Sequence, residues 1–228
     1  MKTLIYGSGK LGEQVLHVVN NHFGSYLNVV GFVDDARPAG EDVVEGYQTL
    51  GNLDTVAGSH NLGPNRAVIV PAIGYSNLTA RGRALDRAIS LGYGMPTLVH
   101  PRAWVEPGVE VGDGTIVLAG VLLDQGVKVG DNCYLDQGVK VGENTVLGPN
   151  NYLAAGTAIG GGVTMGQNNF LGLNTTVTDG LTIGNANFIN AKSLVYKDLD
   201  SHQHLVQFHE QTRMPLAVEE DQPEVIHG

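Results

Sequence analysis

A glycine-rich loop near the N-terminus and an acidic pair beyond it have the residue types that bind phosphorylated ligands. Residues 7–12 read GSGKLG, and Asp34-Asp35 follows at the end of the next predicted strand. The backbone N–H groups of such a loop, and of a helix that it opens, can donate hydrogen bonds to a phosphate. A carboxylate at the end of the following strand can accept one from a ribose hydroxyl. The spacing favours a nucleotide site over the alternative, a structural tight turn.

The elements that would position this loop form a small parallel α/β unit. The predicted elements are strands over residues 3–6, 28–33 and 67–71 and helices over residues 13–21 and 81–91. Gly74 follows the third strand at its carboxyl end, where open α/β sheets bind ligands. The sequence therefore predicts a Rossmann-like domain over residues 1–98, with its ligand at the carboxyl ends of the strands.

The second half of the chain is a repeat of hexads. From Val99 to Val195 every sixth residue is aliphatic or methionine, over seventeen positions without an insertion. This is the hexapeptide pattern of a parallel β-helix, whose interior these side chains fill. Gly112, Gly130 and Gly148 recur at every third hexad, so three hexads make one coil. Glycine and asparagine are expected at the turns, because they tolerate positive φ.

These patterns set the expected boundaries of the second half. About five coils are expected over residues 99–197, one coil for every three hexads. Residues 198–228 are expected to form a C-terminal cap, and Glu219 to Gly228 an acidic tail that we expect to be disordered.

Composition excludes several classes of protein. The chain has 13 basic and 23 acidic residues and a formal net charge of −10, so neither nucleic acid nor an anionic membrane is an expected partner. Cys133 is the one cysteine, which excludes an internal disulfide and fits a reducing, cytoplasmic location. No apolar stretch is long enough for a membrane span or the core of a signal peptide.

Further residues across the chain carry a family resemblance. They are Gly7-Ser8-Gly9, residues 30–35 (VGFVDD), Gly46, Leu50-Gly51, Gly74, Arg81, Val99-His100-Pro101 and Ala103. With the α/β unit and the hexapeptide repeat in this order, the chain resembles the sugar O- and N-acyltransferases related to sialic acid O-acetyltransferase. The resemblance implies an α/β plus all-β protein, in which a small Rossmann-like domain precedes a left-handed parallel β-helix.

The resemblance also implies ligands and an assembly. The expected assembly is a homotrimer with active sites between neighbouring subunits. The acyl donor would be acyl-CoA, usually acetyl-CoA, lying along the β-helix, and no metal is expected. The acceptor would be an amino or hydroxyl group of a nucleotide-linked sugar. Carried over by position, the residues that would contact the nucleotide are Gly7, Ser8, Gly9, Asp34, Asp35 and Gly74.

Acyl transfer needs a base for the proton of the attacking amine or hydroxyl, and here the chain departs from the family. The family histidine falls on Glu143, a second family histidine falls on Tyr152, and no histidine occurs between His100 and His202. Glu143 could act as the base if burial raised its pKa. Alternatively, a histidine near the C-terminus (His202, His204 or His209) supplies it. In a third interpretation the protein binds its ligands without catalysis, or positions an amine that is already reactive.

Other residues are expected to contact the acyl donor. Gly161 matches the family glycine whose N–H faces the thioester carbonyl, a donor that needs no side chain. The residues expected to contact acyl-CoA are Asn151, Ala191, Lys192 and Lys197, with Arg213 as a further cation. The usual family ending of a glycine followed by Pro-Ala-Lys is absent, and residues 207–210 read QFHE instead.

The sequence therefore predicts an acyltransferase that acts on a nucleotide-linked sugar in glycan synthesis. The alternative is a non-catalytic, ligand-binding trimer of the same fold, because Glu143 stands where the family has its histidine. A nicotinamide-dependent oxidoreductase is disfavoured, since half of the chain is solenoid and no catalytic domain remains.

Overall fold

A computed structural model describes residues 1–207 of the chain. An α/β unit comes first, and a parallel β-solenoid of about six turns follows it. The hexapeptide solenoid predicted from the sequence is therefore confirmed. The tail from residue 208 onward, with His209, Arg213 and the acidic segment, lies outside the described residues.

The α/β unit is built on three parallel strands in the order β2-β1-β5. Its elements are β1 (Lys2–Tyr6), α1 (Lys10–Val18) with a π-helical turn (Val19–Phe23), β2 (Asn28–Val33), β3 (Asp42–Val44), β4 (Tyr47–Gln48), α2 (Leu53–Ala57), β5 (Ala67–Pro71), a 3-10 turn (Tyr75–Asn77) and α3 (Leu78–Ser90). The predicted strands are confirmed. Helix α3 begins at Leu78 and not at the predicted Arg81, because the Asn77 side chain caps it by accepting the Ala80 N–H.

The solenoid has three faces, each a parallel sheet of two-residue strands. The first, called the aromatic face, contains β6 (Leu98–Val99), β9 (Ile116–Val117), β12 (Tyr134–Leu135), β15 (Tyr152–Leu153), β18 (Phe170–Leu171), β21 (Phe188–Ile189) and β23 (His204–Leu205). The second contains β7 (Trp104–Val105), β10 (Leu122–Leu123), β13 (Lys140–Val141), β16 (Ala158–Ile159), β19 (Thr176–Val177) and β22 (Leu194–Val195). The third contains β8 (Glu110–Val111), β11 (Lys128–Val129), β14 (Val146–Leu147), β17 (Thr164–Met165) and β20 (Thr182–Ile183).

The aliphatic residues of the repeat fill the interior of these coils, as predicted. Paired residues lie three hexads apart, as in Tyr134 opposite Tyr152. The last coil is shorter, because Phe188 pairs with His204. Strand pairing continues to Leu205: Leu199 pairs with Ile183 of the third face, and His204 and Leu205 extend the aromatic face.

The corners of the solenoid use glycine in two ways. Gly120 and Gly138 have positive φ, and Asn132 and Asn144 take the same conformation at the equivalent position of their hexads. The glycines that stack from coil to coil, such as Gly148, do not have positive φ. A Cβ on Gly148 would instead lie 2.8 Å from the carbonyl oxygen of the glycine in the next coil. Those glycines are required by the close approach of successive coils, and the predicted turn conformation is wrong for them.

The two kinds of glycine should respond differently to substitution. In Gly148→Ala the added Cβ would push the backbone of successive coils apart, so this substitution should lower the free energy of unfolding by about 1–3 kcal/mol. Gly138→Asn places asparagine where the fold already accepts it, and should change that free energy by less than about 1 kcal/mol. Urea unfolding of both variants checks this, and equal losses would contradict the packing explanation.

The α/β unit is docked on the outward side of the aromatic face. Buried outward side chains of this face share one hydrophobic cluster with residues of β1, α1, β2 and β5. The cluster includes Ile5, Val15, Leu16, Phe32, Val70, Ile116, Tyr134, Tyr152 and Phe170. The two halves of the chain therefore share a core, which fixes α1 and β5 relative to the solenoid.

Arg81 of α3 adds a polar clamp to this interface. Its buried guanidinium donates to Asn150 Oδ1 and to the Asn132 carbonyl (2.8 Å), and Asn150 Nδ2 donates to the Leu78 carbonyl at 2.7 Å. Burial lowers the Arg81 pKa to about 10. No carboxylate of residues 1–207 forms an ion pair with Arg81, so amide and carbonyl oxygens alone compensate the charge.

Removing this clamp should loosen α3. Arg81→Leu leaves the oxygens of Asn132 and Asn150 without their donor and should lower the free energy of unfolding by about 2–3 kcal/mol. Arg87→Leu is the matched control on the same helix, since the ion pair of Arg87 with Asp54 is exposed and such pairs contribute less than about 1 kcal/mol. Urea unfolding and hydrogen exchange of the α3 amides measure both effects. Similar losses in the two variants would contradict the clamp.

Candidate active site

A cavity of about 1210 Å³ lies between the carboxyl ends of the α/β strands and the aromatic face. The α/β unit lines it with residues 6–11, 34–36 and 72–77 and with parts of α1 and α3. The solenoid lines it with Tyr152, Phe170 and Phe188 and with the corner residues Asp136, Ala154, Gly172, Leu173, Asn190 and Ala191. The glycine loop thus opens into a space whose opposite wall is the solenoid.

The glycine loop brings the N-terminus of α1 into this cavity. Gly7 has a φ of +116°, and a Cβ there would lie 2.5 Å from the Ala72 carbonyl oxygen. A Cβ on Gly12 would lie 2.1 Å from the Gly7 carbonyl oxygen, so both positions require glycine. Gly9 caps α1 without any side-chain hydrogen bond, and apart from Gly9 itself and its two chain neighbours, no atom of residues 1–207 lies within 4 Å of where its Cβ would be. An open helix N-terminus of this kind suits a phosphate.

Asp34 holds the glycine loop in shape. Its Oδ2 accepts hydrogen bonds from the Ser8 N–H (3.0 Å) and hydroxyl (2.5 Å), and its Oδ1 accepts one from the Ala36 N–H at 2.9 Å. Burial acts to raise the Asp34 pKa, but the hydrogen bonds from Ser8 and Ala36 and the charge of Arg37 together lower it. Ser8 itself is buried, so its donors serve Asp34 rather than an incoming phosphate.

Asp35 is held by a second set of hydrogen bonds. The Tyr6 hydroxyl donates to its Oδ2 at 2.5 Å, and the Leu53 N–H at the start of α2 donates to its Oδ1 at 3.0 Å. Burial, with Asp35 as the next cause, raises the Tyr6 pKa. The predicted nucleotide residues Gly7, Ser8, Gly9, Asp34, Asp35 and Gly74 all line the one cavity.

The lowered Asp34 pKa predicts a pH-dependent contribution to stability. The native state favours the ionised carboxylate, so this contribution is present above the unfolded-state pKa of about 3.9. It should be lost as the pH falls from about 4 through the lower native value. The difference in unfolding free energy between wild type and Asp34→Asn should therefore shrink over that range. Urea titrations at several pH values measure it, and Ser8→Ala should reduce the dependence. A difference that grows at low pH would contradict this assignment.

A row of aromatic rings forms the solenoid wall of the cavity. Tyr134 stacks on Tyr152 with ring centroids 4.7 Å apart, and Phe170 stacks on Phe188 at 4.5 Å. Tyr75, from the turn after β5, stacks on Phe170 at 4.3 Å. Of these rings, only Tyr152 was expected in the site. The outward aromatic residues recur every 18 residues from Tyr134 to Phe188, and that period was the signal that could have revealed the wall.

Glu143 and Gly161 lie together but outside this cavity. They occupy successive coils at the corner between the second and third faces, and a Cβ on Gly161 would lie 2.6 Å from Glu143 Oε1. The Gly161 N–H donates to Asp179 Oδ1 at 2.9 Å. Glu143 is exposed in the single chain, which does not provide the burial that the proposed base requires.

The predicted acyl-CoA residues divide into three groups. Ala191 lines the cavity, and the exposed Lys192 follows it at the same corner. Lys197 lies at a different corner, with its Nζ 5.6 Å from the centre of the Tyr196 ring. Asn151 forms the third group and lies in the interior of the solenoid.

The structure corrects the prediction that the Asn151 side chain contacts acyl-CoA. It is fully buried, its Nδ2 donates to the Gly148 and Gly166 carbonyls, and its Oδ1 accepts the Asn169 N–H. The amide is consumed inside the solenoid and is not available to acyl-CoA.

The described histidines near the C-terminus lie at the end of the aromatic face. His202 is exposed and has positive φ. His204 Nε2 lies 3.0 Å from Asn190 Oδ1, and its ring meets Phe188 edge-on at 5.2 Å. Asn190 and Phe188 line the cavity, but neither His202 nor His204 does.

Comparison with known proteins finds an acetyltransferase of similar architecture. The protein-family model described as "bacterial transferase hexapeptide (six repeats)" matches residues 126–161 of the sequence. The acetyltransferase domain of PglB from Neisseria gonorrhoeae is 23% identical, with a TM-score of 0.78 over 89% of this chain and 96% of that one. PerB from Caulobacter crescentus, solved with CoA and GDP-perosamine, is 28% identical, with a TM-score of 0.77 over 88% and 91%. WeeI from Acinetobacter baumannii is 18% identical, with a TM-score of 0.78 over 89% and 95%.

These matches confirm the resemblance seen in the sequence. A search of curated proteins finds no significant match to the chain.

Among residues 1–207, no helix has the length and apolar character to cross a membrane. The same residues contain no group of three or more histidine, cysteine, aspartate or glutamate side chains arranged to hold a metal ion.

Proposed function

We propose that the protein transfers an acetyl or other acyl group from acyl-CoA to an amino or hydroxyl group of a nucleotide-linked sugar in glycan synthesis. The observation that carries this proposal is the cavity that joins an open helix N-terminus to an aromatic wall. The first suits a diphosphate and the second the flat faces of a sugar or a base. The match to PerB, solved with CoA and GDP-perosamine, supports the same pair of substrates.

The proposed organisation follows the resemblance. We propose a Rossmann-like nucleotide-sugar domain over residues 1–98, a left-handed β-helix over residues 99–197 with the acyl-CoA site, and a cap that follows. The parallel β2-β1-β5 order, with its glycine loop after β1, supports the first part. A homotrimer is supported by apolar side chains on and beside the second face, since Trp104 is 66% exposed and Leu194 46%. A cytoplasmic location remains part of the proposal.

In this function the acceptor nitrogen or oxygen attacks the thioester carbonyl carbon of acyl-CoA. The carbon–sulfur bond breaks, and the acceptor proton passes through a base to the CoA thiolate. Tyr152 would contact the acceptor from the cavity wall. Glu143 and Gly161 lie outside the cavity of their own chain, so their proposed catalytic roles require a neighbouring subunit's cavity. Ala191, Lys192 and Lys197 remain the proposed acyl-CoA contacts.

A non-catalytic binding protein is the second candidate, and two observations favour it. No histidine of residues 1–207 lines the cavity. The Gly161 N–H, the proposed oxyanion donor, is already hydrogen-bonded to Asp179. A carbonyl at this position would have to displace that carboxylate.

Thiol release separates the two candidates. Purified protein is incubated with acetyl-CoA and a panel of UDP-, GDP- and dTDP-linked sugars, some of which carry a free amino group and some of which do not. The release of free CoA thiol is then measured. We expect release above background with at least one nucleotide sugar, and a raised thermal midpoint with the same sugar. A raised midpoint without thiol release would favour the binding protein. Stabilisation by NAD together with hydride transfer would contradict both.

A further inference from the structure

The carboxylates of the cavity are not equivalent. Three aspartates of residues 1–207 line it, Asp34, Asp35 and Asp136. Both oxygens of Asp34 accept hydrogen bonds from the glycine loop and the Ala36 N–H, and both oxygens of Asp35 accept them from Tyr6 and Leu53. Protonation of either carboxylate would weaken hydrogen bonds that hold the glycine loop or α2 in place.

Asp136 differs from this pair in its hydrogen bonding. Its Oδ1 accepts the Gln137 N–H at 2.7 Å, and among residues 1–207 its Oδ2 accepts no hydrogen bond. The residue is half-buried. A half-buried carboxylate that lines a ligand cavity and has one oxygen without a hydrogen bond can accept a proton from that ligand.

The position of Asp136 also fits the chemistry. It belongs to the solenoid, where the acyl donor is proposed to lie, and it follows β12 at the corner beside the aromatic wall. Burial raises the pKa of Tyr152, and the Asp136 charge is the second cause. The phenol of Tyr152 therefore remains protonated, and can donate but cannot serve as the base itself.

We propose that Asp136 is the general base of the acyl transfer, an inference that rests on the proposed function. As the acceptor nitrogen or oxygen bonds to the thioester carbonyl carbon, its proton passes to Asp136 Oδ2. The carbon–sulfur bond then breaks, and the CoA thiolate takes the proton from Asp136. The carboxylate is regenerated, and no metal or oxidant is consumed.

The chain contains its own control for this proposal. The sequence LDQGVKVG occurs at residues 123–130 and again at 135–142. Asp124 repeats the local geometry of Asp136, since its Oδ1 accepts the Gln125 N–H at 2.7 Å. The offset of two hexads puts Asp124 at the corner after the second face, where it does not line the cavity.

Four proteins decide the assignment: wild type, Asp136→Asn, Asp136→Glu and Asp124→Asn. Asparagine keeps an oxygen for the local N–H, so all should fold, as thermal unfolding will check. With acetyl-CoA and the best acceptor, Asp136→Asn should lower kcat by about 100-fold or more and leave the KM for the nucleotide sugar within about threefold of wild type. Asp136→Glu should recover part of the rate, and Asp124→Asn should match wild type.

Two results would overturn the assignment in distinguishable ways. If wild type releases CoA and Asp136→Asn retains its rate within threefold, Asp136 is not the base but the proposed function stands. A loss with Glu143→Gln in that case would move the base to Glu143. If wild type releases no CoA with any acceptor, while nucleotide sugars still raise its thermal midpoint, the proposed function fails and the assignment fails with it.

Discussion

The packing of the α/β unit against one solenoid face is the interaction on which the rest of the structure depends. A coil of three hexads places outward side chains of the same phase above one another, so Tyr134, Tyr152 and Phe170 form a continuous apolar strip. Strand β5 and helix α1 share a core with that strip, and Arg81 ties α3 to the adjacent corner. The cavity is the space that this docking leaves beside the strip. Its glycine-loop wall and its solenoid wall come from opposite halves of the chain, and neither half forms a site alone.

The electrostatics of the cavity follow from the same arrangement. The protein has a formal net charge of −10, and the wall of the cavity that the α/β unit supplies carries two aspartates. A phosphorylated ligand there would therefore depend on the N–H groups at the start of α1 and on Lys10, which lines the cavity near them. Since Asp34 and Asp35 direct their oxygens toward donors of the protein, their negative charge is partly compensated before a ligand arrives. The solenoid side adds a further carboxylate, Asp136, whose Oδ2 accepts no hydrogen bond among residues 1–207.

The sequence predicts the fold well because the fold is periodic. Aliphatic residues at every sixth position and glycine at every third hexad determine the coils. The glycine loop with Asp34 determines the first βαβ unit, including which residues line the cavity on that side. The solenoid side of the cavity is predicted less well. Asn151 has the same phase in the repeat as the buried residues Val127 and Cys133, so the period already indicates that it faces the interior. Asp136 is a polar corner residue, and only the three-dimensional structure shows that it lines the cavity. Tyr75 could not be placed from sequence, because its partner Phe170 is distant along the chain and their contact depends on docking. Glu143 was carried over by its position in the hexapeptide repeat, and that position does not show whether a corner faces the cavity of its own chain.

If the function proposed above is right, this cavity binds the nucleotide sugar across the interface between the two halves. A crystal structure of the protein with a bound nucleotide sugar tests this most directly. We expect the diphosphate at the N–H groups of Gly9 and the first turn of α1, with the sugar against Tyr152 and Phe170. The reacting amine or hydroxyl should lie within hydrogen-bonding distance of Asp136. A nucleotide sugar bound elsewhere, or one whose sugar points away from the aromatic face, would contradict it.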